Sequence, residues 1–204
     1  MRRIPLSHRS HVTGFNAVPT GMAEHESALE RDFITLSSFA DRDAKITSQP
    51  VTIRFEHDGE QRRYTPDFLV EWFDGRAELV EVKYWADLRA RWKRFRPAFA
   101  AGRCWIRERG GSFRIATERA VRCPALDAAK RLLPLRTAAL DPDLAEATLA
   151  MVQALREPTF HELVDAVPAT REEALGVIWR MIARGMLRVD GTVPIVPATR
   201  ISLP

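Results

Sequence analysis

The sequence predicts an α/β fold: a mixed sheet flanked by helices, followed by a smaller helical unit. Three observations carry this. Residues 68–73 (Phe-Leu-Val-Glu-Trp-Phe) and 79–84 (Leu-Val-Glu-Val-Lys-Tyr) are rich in β-branched and aromatic residues, and Phe73-Asp74-Gly75-Arg76 between them is a turn signal, so the pair reads as a β-hairpin. Apolar residues recur at helical spacing on both sides of it, as Leu29, Phe33, Leu36, Phe39 and as Leu88, Trp92, Phe95, Phe99. Beyond Leu140-Asp141-Pro142-Asp143 the pattern changes to three helical stretches and a short β ending.

In chain order, residues 1–22 lack periodicity and read as an extended N-terminal arm. An amphipathic helix is expected over 24–40. The alternating Pro-Val-Thr-Ile-Arg-Phe-Glu of 50–56 reads as a half-buried strand, 57–60 as a turn, and 62–73 and 78–84 as the next strands. A second helix follows at 86–101, then short strands at 103–107, after Gly102, and at 112–116. The order helix–strand–strand–strand–helix–strand gives an α/β core with a mixed sheet. Pro124 and Pro134 bracket a short helix around Leu126–Leu133. The domains expected are 1–22 (arm), 23–140 (α/β domain) and 141–204. In the last, helices at 143–156, 159–166 and 170–185 precede a hairpin over 186–195 turning at Asp190-Gly191, the outline of a winged helix. Leu144, Leu149, Val152, Leu155, Leu163, Val177, Ile178, Met181 and Ile182 supply its core.

At 204 residues and 46% hydrophobic, the chain can build one large or two small cores. No run approaches the roughly 18 apolar residues of a membrane span. Met1-Arg2-Arg3-Ile4-Pro5 leads into no apolar segment, so a cytoplasmic protein without a secretory signal is expected. Cys104 and Cys123 are not spaced as a metal pair and read as reduced, largely buried thiols. The five histidines form no ligand cluster, there is no glycine-rich phosphate loop, and no serine or cysteine sits in a nucleophile setting. Net charge is +4 with an isoelectric point near 9.5, the sign that suits a nucleic-acid partner. Only Lys45, Lys83, Lys93 and Lys130 are lysine.

The chemistry concentrates at the hairpin. Asp67 heads one strand, and Glu81 and Lys83, two apart in the next, share a face. Pairing of the strands can bring Asp67 to the same edge. Two carboxylates and an ammonium there suit a hard divalent ion with oxygen ligands and a lysine beside the attacking water. The plain alternative is a set of solvated cross-strand pairs on an exposed hairpin. On the second helix, Arg89, Lys93 and Arg96 stand at i, i+4 and i+7, either to contact phosphates or as a solvated basic face.

Pro66-Asp67 followed by Glu81-Val82-Lys83 resembles the core of the PD-(D/E)xK nuclease superfamily. The longer stretch Tyr-Thr-Pro-Asp-Phe-Leu-Val then Leu-Val-Glu-Val-Lys, with the upstream Leu29-Glu30 step and Gln49-Pro50, is similar to the TnsA family, the endonuclease subunits of heteromeric transposases. The resemblance covers roughly residues 24–107. It implies a restriction-endonuclease-like fold and a catalytic set of Glu30, Asp67, Glu81 and Lys83. Mg²⁺ or Mn²⁺ would be held by Asp67, Glu81, the Val82 carbonyl and Glu30, with Glu26 as the alternative helical acid. Gln49 would touch the metal site or the DNA, or is a plain strand-entry glutamine, and Arg89, Lys93 and Arg96 on the basic helix are the other candidate DNA contacts. The reaction expected is hydrolysis of one strand at transposon ends by metal-activated water, leaving a 5′-phosphate. Expected partners are double-stranded DNA, a TnsB-like DDE transposase subunit and a TnsC-like AAA+ ATPase regulator. The C-terminal domain would dock partners or read DNA; Glu172 and Glu173 at the head of its last helix favour docking. A stand-alone restriction- or repair-type nuclease and a catalytically silent scaffold of the same fold remain the alternatives.

Overall fold

A computed structural model describes residues 14–18, 21–190 and 193–204. The chain divides into two compact units, Met1–Cys123 and Pro124–Pro204. The division precedes the expected boundary at 140/141, because the helix opened by Pro124 buries Leu126, Ala129 and Leu132 within the second unit.

The first unit opens with a hairpin, β1 (Gly14–Val18) and β2 (Gly21–His25), where an extended arm was expected; residues 1–13 lie outside the described residues. Helix α1 (Ala28–Ala40) therefore begins later than 24. Ser27 caps it, accepting a hydrogen bond from the Glu30 amide. A four-stranded sheet runs in the order β3 (Lys45–Ser48), β6 (Phe68–Glu71), β7 (Ala77–Val82), β8 (Ser112–Ala116). The first three are antiparallel, and β8 lies parallel to β7. The predicted hairpin is present as β6–β7, with Phe68 opposite Val80 and Leu69 opposite Leu79.

Three local expectations need correction. The single strand over 62–73 is two: β5 (Glu60–Tyr64) pairs with β4 (Ile53–His57) in a separate ribbon, and only β6 joins the main sheet. Pro66 explains the break, since it has no amide to donate and restricts Thr65 before it. The helix at 86–101 is broken at Arg91 into α2 (Trp85–Ala90) and α3 (Trp92–Arg107). Residues 103–107 are the last turns of α3, not a strand: Phe99, Gly102 and Ile106 continue the buried stripe at helical spacing. Gly102 is there because a Cβ would come within 2.8 Å of the Tyr64 ring and 3.0 Å of Phe113.

The central strand β7 is buried on both faces, as its run of apolar residues requires. Val80 and Val82 pack with Phe33, Ile34, Phe68 and Val70 under α1. Leu79 faces the opposite way, against Ile53, Tyr64, Phe99 and Ile106 under α3 and the ribbon. Odd-numbered positions of β6 and β7 thus share the α3 side of the sheet.

In the second unit α5 (Pro124–Leu132), after the short α4 (Glu118–Val121) of the first, precedes α6 (Pro142–Leu155), α7 (Phe160–Ala166) and α8 (Arg171–Ala183). Thr159 and Thr170 each form a capping box, with Glu162 and Glu173, so both helix starts are written in the sequence. Leu155 is 46% exposed and is not core. No strand pair forms over 186–195 among the described residues. Arg188 instead bridges Ser202, and Thr159 bridges Arg200. The expected turn at Asp190-Gly191 falls partly outside the described residues. No helix is long and apolar enough to cross a membrane among the described residues. Of the two thiols, Cys104 is exposed and Cys123 half-buried, so largely buried cysteines are not found.

Candidate active site

The β6–β7 register, continued by one residue, puts Asp67 opposite Glu81 at the sheet edge. Asp67 is locked in place by its own strand partner: its Oδ2 accepts from the Val82 amide at 2.7 Å. Lys83 leaves β7 on the same face as Glu81. Its Nζ lies 3.2 Å from Asp67 Oδ2, 2.9 Å from Glu81 Oε1 and 3.1 Å from the Val82 carbonyl oxygen. Three oxygens from two carboxylates and one carbonyl therefore converge on a single positive charge.

Tyr64 was not anticipated from sequence. Its hydroxyl donates to Glu81 Oε2 at 2.7 Å, so the β4–β5 ribbon is pinned to the site carboxylate. The available signal was its place next to Thr65-Pro66-Asp67, on the apolar side of an alternating strand. Burial and the neighbouring Asp67 charge push the Glu81 carboxyl up to about 7, against the opposing pull of Lys83 and Tyr64. Burial also raises Asp67, partly offset by Lys83 and the Val82 amide. Burial alone would weaken the charge of Lys83, but Asp67 and Glu81 outweigh it and raise its pKa. The Tyr64 hydroxyl is held well above its ordinary range by burial and by Glu81. A cluster of titratable groups perturbed in this way is a candidate functional site.

Glu30 is brought near the cluster without joining its ion pairs. Its oxygens accept from Ser27 Oγ at 2.8 Å and from the Glu26 amide at 2.8 Å. Burial, then the Asp67 charge, raise it to about 7. Glu26 accepts from Gln49 Nε2 at 3.0 Å, and Gln49 donates its amide to the Asp67 carbonyl at 2.8 Å. Gln49 holds φ at 46°, a left-handed conformation that is strained for a residue preceding proline. Both Glu26 and Gln49 line an open cleft with Pro50, Thr52, Arg63, Thr65 and Asp67. Arg89, Lys93 and Arg96 are all exposed, but Arg89 belongs to α2 and the other two to α3, so they do not share one helix face.

No group of three His, Cys, Asp or Glu side chains close enough to hold an ion occurs among the described residues. The donor set that does converge is Asp67, Glu81 and the Val82 carbonyl, with the Lys83 ammonium standing where a cation is favoured. Hard oxygen donors of this kind suit Mg²⁺ or Mn²⁺.

A search of curated proteins found no match to the chain. The family described as TnsA-like endonuclease N terminal matches residues 44–118. That span takes in β3 through β8 with Asp67, Glu81 and Lys83, and leaves out α1 with Glu30. By this match, the segment that carries the sheet and its charged cluster is similar to the N-terminal domain of TnsA-like endonucleases.

Proposed function

We propose that the protein is a metal-dependent DNA endonuclease subunit of a Tn7-type transposition system, hydrolysing one strand at the transposon ends. The observation that carries this is the convergence of Asp67, Glu81, the Val82 carbonyl and Lys83 within the matched segment. Asp67, Glu81 and the Val82 carbonyl would hold Mg²⁺ or Mn²⁺. A bound ion of that class supplies an activated water and offsets charge on the scissile phosphate. Glu30, whose carboxyl is raised by burial and then by the Asp67 charge, would add a ligand to the ion directly or through water. Lys83 would orient or deprotonate the attacking water, or donate to charge developing on the phosphorane. A TnsB-like transposase would process the other strand, and a TnsC-like ATPase would regulate the assembly.

The second unit supports partner docking better than base reading by α8. Arg184 donates to the Ala138 carbonyl, and the Arg180 guanidinium lies against Gly176, so both are turned into their own unit. Glu172 and Glu173 remain exposed at the head of the helix.

The test is a nicking assay on transposon-end DNA with the partner subunits present. Asp67→Ala is expected to abolish divalent-ion binding in calorimetry together with cleavage. Lys83→Ala is expected to slow cleavage by roughly 10²–10⁴, the scale of one electrostatic or proton-transfer group, with ion affinity held or raised. Unchanged ion affinity in Asp67→Ala would overturn the assignment.

A further inference from the structure

The β4–β5 ribbon carries a feature that its own fold does not explain. Arg54 and Arg63 are directly opposite each other in the antiparallel register, on the same face, and both are exposed. Like charges directly opposite are destabilising in such a pair. Neither makes an ion pair or hydrogen bond with any described residue, whereas Arg62 on the other face is paired with Glu60 at 3.1 Å. Glu56 sits one rung further out on the Arg54 face, opposite Gln61, without an ion-pair contact to either arginine.

The ribbon's position gives the pair a use. Thr52 and Thr65 form the rung before it, hydroxyl to hydroxyl at 3.0 Å, and Arg63, Thr52 and Thr65 line the same cleft as Asp67 and Gln49. The face therefore runs as a short polar track from two arginines, past two hydroxyls, to the site carboxylate. It is also rigid. The opposite face packs Ile53, Tyr64 and Phe55 against Phe99, and Tyr64 is tied to Glu81. At the far end Asp58 and Gly59 both have positive φ, 55° and 73°, the tight turn that keeps two short strands twisted together.

We propose that Arg54 and Arg63 form a phosphate clamp that seats the DNA backbone next to the cluster of Asp67, Glu81 and Lys83. The proposal rests on the nuclease reading for its ligand. Two guanidinium groups facing one way present fork-shaped donors matched to phosphate oxygens, and a bound phosphate removes their mutual repulsion.

The experiment is equilibrium binding of the full chain to duplex DNA, without divalent ion, across a salt series by fluorescence anisotropy. Arg54→Gln/Arg63→Gln is expected to lower the slope of log K against log salt by about 2, and to weaken binding roughly 10–60-fold near 0.1 M salt, the scale for two lost phosphate contacts. Arg54→Lys/Arg63→Lys should retain most of the slope. The glutamine variant should melt no lower than the parent, since the substitution relieves repulsion. An unchanged slope in the glutamine variant, or no duplex binding by the parent chain, overturns the clamp. The nuclease reading fails separately: Asp67→Asn should keep the parent's salt slope while abolishing cleavage in the reconstituted reaction, and retained cleavage there would sink that reading and not the clamp.

Discussion

Replacing Tyr64 by Phe tests whether the ribbon governs the charge of the site. The substitution keeps the ring and its edge contact with Phe99, 6.1 Å between centroids, and removes one oxygen. That oxygen donates to Glu81 Oε2 at 2.7 Å, and the Glu81 side chain is only 6% exposed, so solvent has little access to replace it. A hydrogen bond to a charged group contributes about 1.5–3 kcal/mol and one to a neutral group about 0.5–1.5. The difference, on the order of 1–1.5 kcal/mol, corresponds to about one pKa unit. The bond favours the carboxylate, so its loss moves the Glu81 carboxyl, already at about 7, upward. In the variant native Glu81 holds its proton to higher pH, so the stability deficit relative to the parent grows as pH rises through and above 7. The measurement is a carboxyl ¹³C titration of Glu81 in ion-free protein, paired with denaturant unfolding near pH 5.5 and near pH 8.5, about one to two units either side of that pKa. An unchanged or lowered Glu81 pKa, with a deficit that does not vary with pH, refutes the reasoning.

Two further outcomes follow from the same structure. Glu30 and Glu81 both titrate at about 7 in the native protein against 4.5 for an ordinary glutamate, so the native state binds more protons than the unfolded state across that interval. Ion-free protein should therefore lose stability as pH rises from 4.5 to about 7, with Glu81 alone responsible for on the order of 3 kcal/mol; a denaturation midpoint that rises over that interval contradicts it. Gly102→Ala places a methyl 2.8 Å from the Tyr64 ring and 3.0 Å from Phe113, and should cost about 1–3 kcal/mol by overpacking while raising the Glu81 pKa if Tyr64 is displaced; a variant as stable as the parent in urea would show that the helix shifts freely.

What the sequence disclosed was set by local chemistry. The β6–β7 hairpin was legible because its alternation and its Asp74-Gly75 turn are contained in a short stretch, and the turn fixes the register that sets Asp67 against Glu81. The helices after Thr159 and Thr170 were legible as helical stretches, and the capping boxes with Glu162 and Glu173 that start them are a signal the pattern reading did not use. Strand β3 was missed because four residues, Lys45–Ser48, are too few to show a period. The split at Pro66 was hidden by continuous β-type residues on both sides, although the proline itself was the signal. Gly102 looked like a terminator, and only the packed ring of Tyr64 shows it to be a site of close approach. Glu30 was placed by resemblance, and the structure finds its oxygens engaged at the start of α1. The hairpin expected after Met186 depended on a turn whose Gly191 is outside the described residues, while the bridges that do form join positions such as Arg188 and Ser202, too far apart for any local pattern to reveal.

The charges of the site and of the ribbon become intelligible together. Burial raises the carboxyls of Asp67, Glu81 and Glu30, the Asp67 charge raises Glu81 and Glu30 further, and Asp67 and Glu81 have one ammonium to share. A phosphate diester brought up to such a cluster meets repulsion, which the proposed reaction must overcome before any chemistry. Lys83 cannot do so alone, because its three nearest acceptors already claim it. In the proposed scheme positive charge comes from two directions: a divalent ion at the carboxylates and Arg54 with Arg63 on the ribbon. Tyr64 ties these two regions into one rigid body, since it is the neighbour of Arg63 and the hydrogen-bond donor to Glu81. Loosening that tie should therefore degrade the placement of the phosphate and the protonation of the carboxylate at the same time.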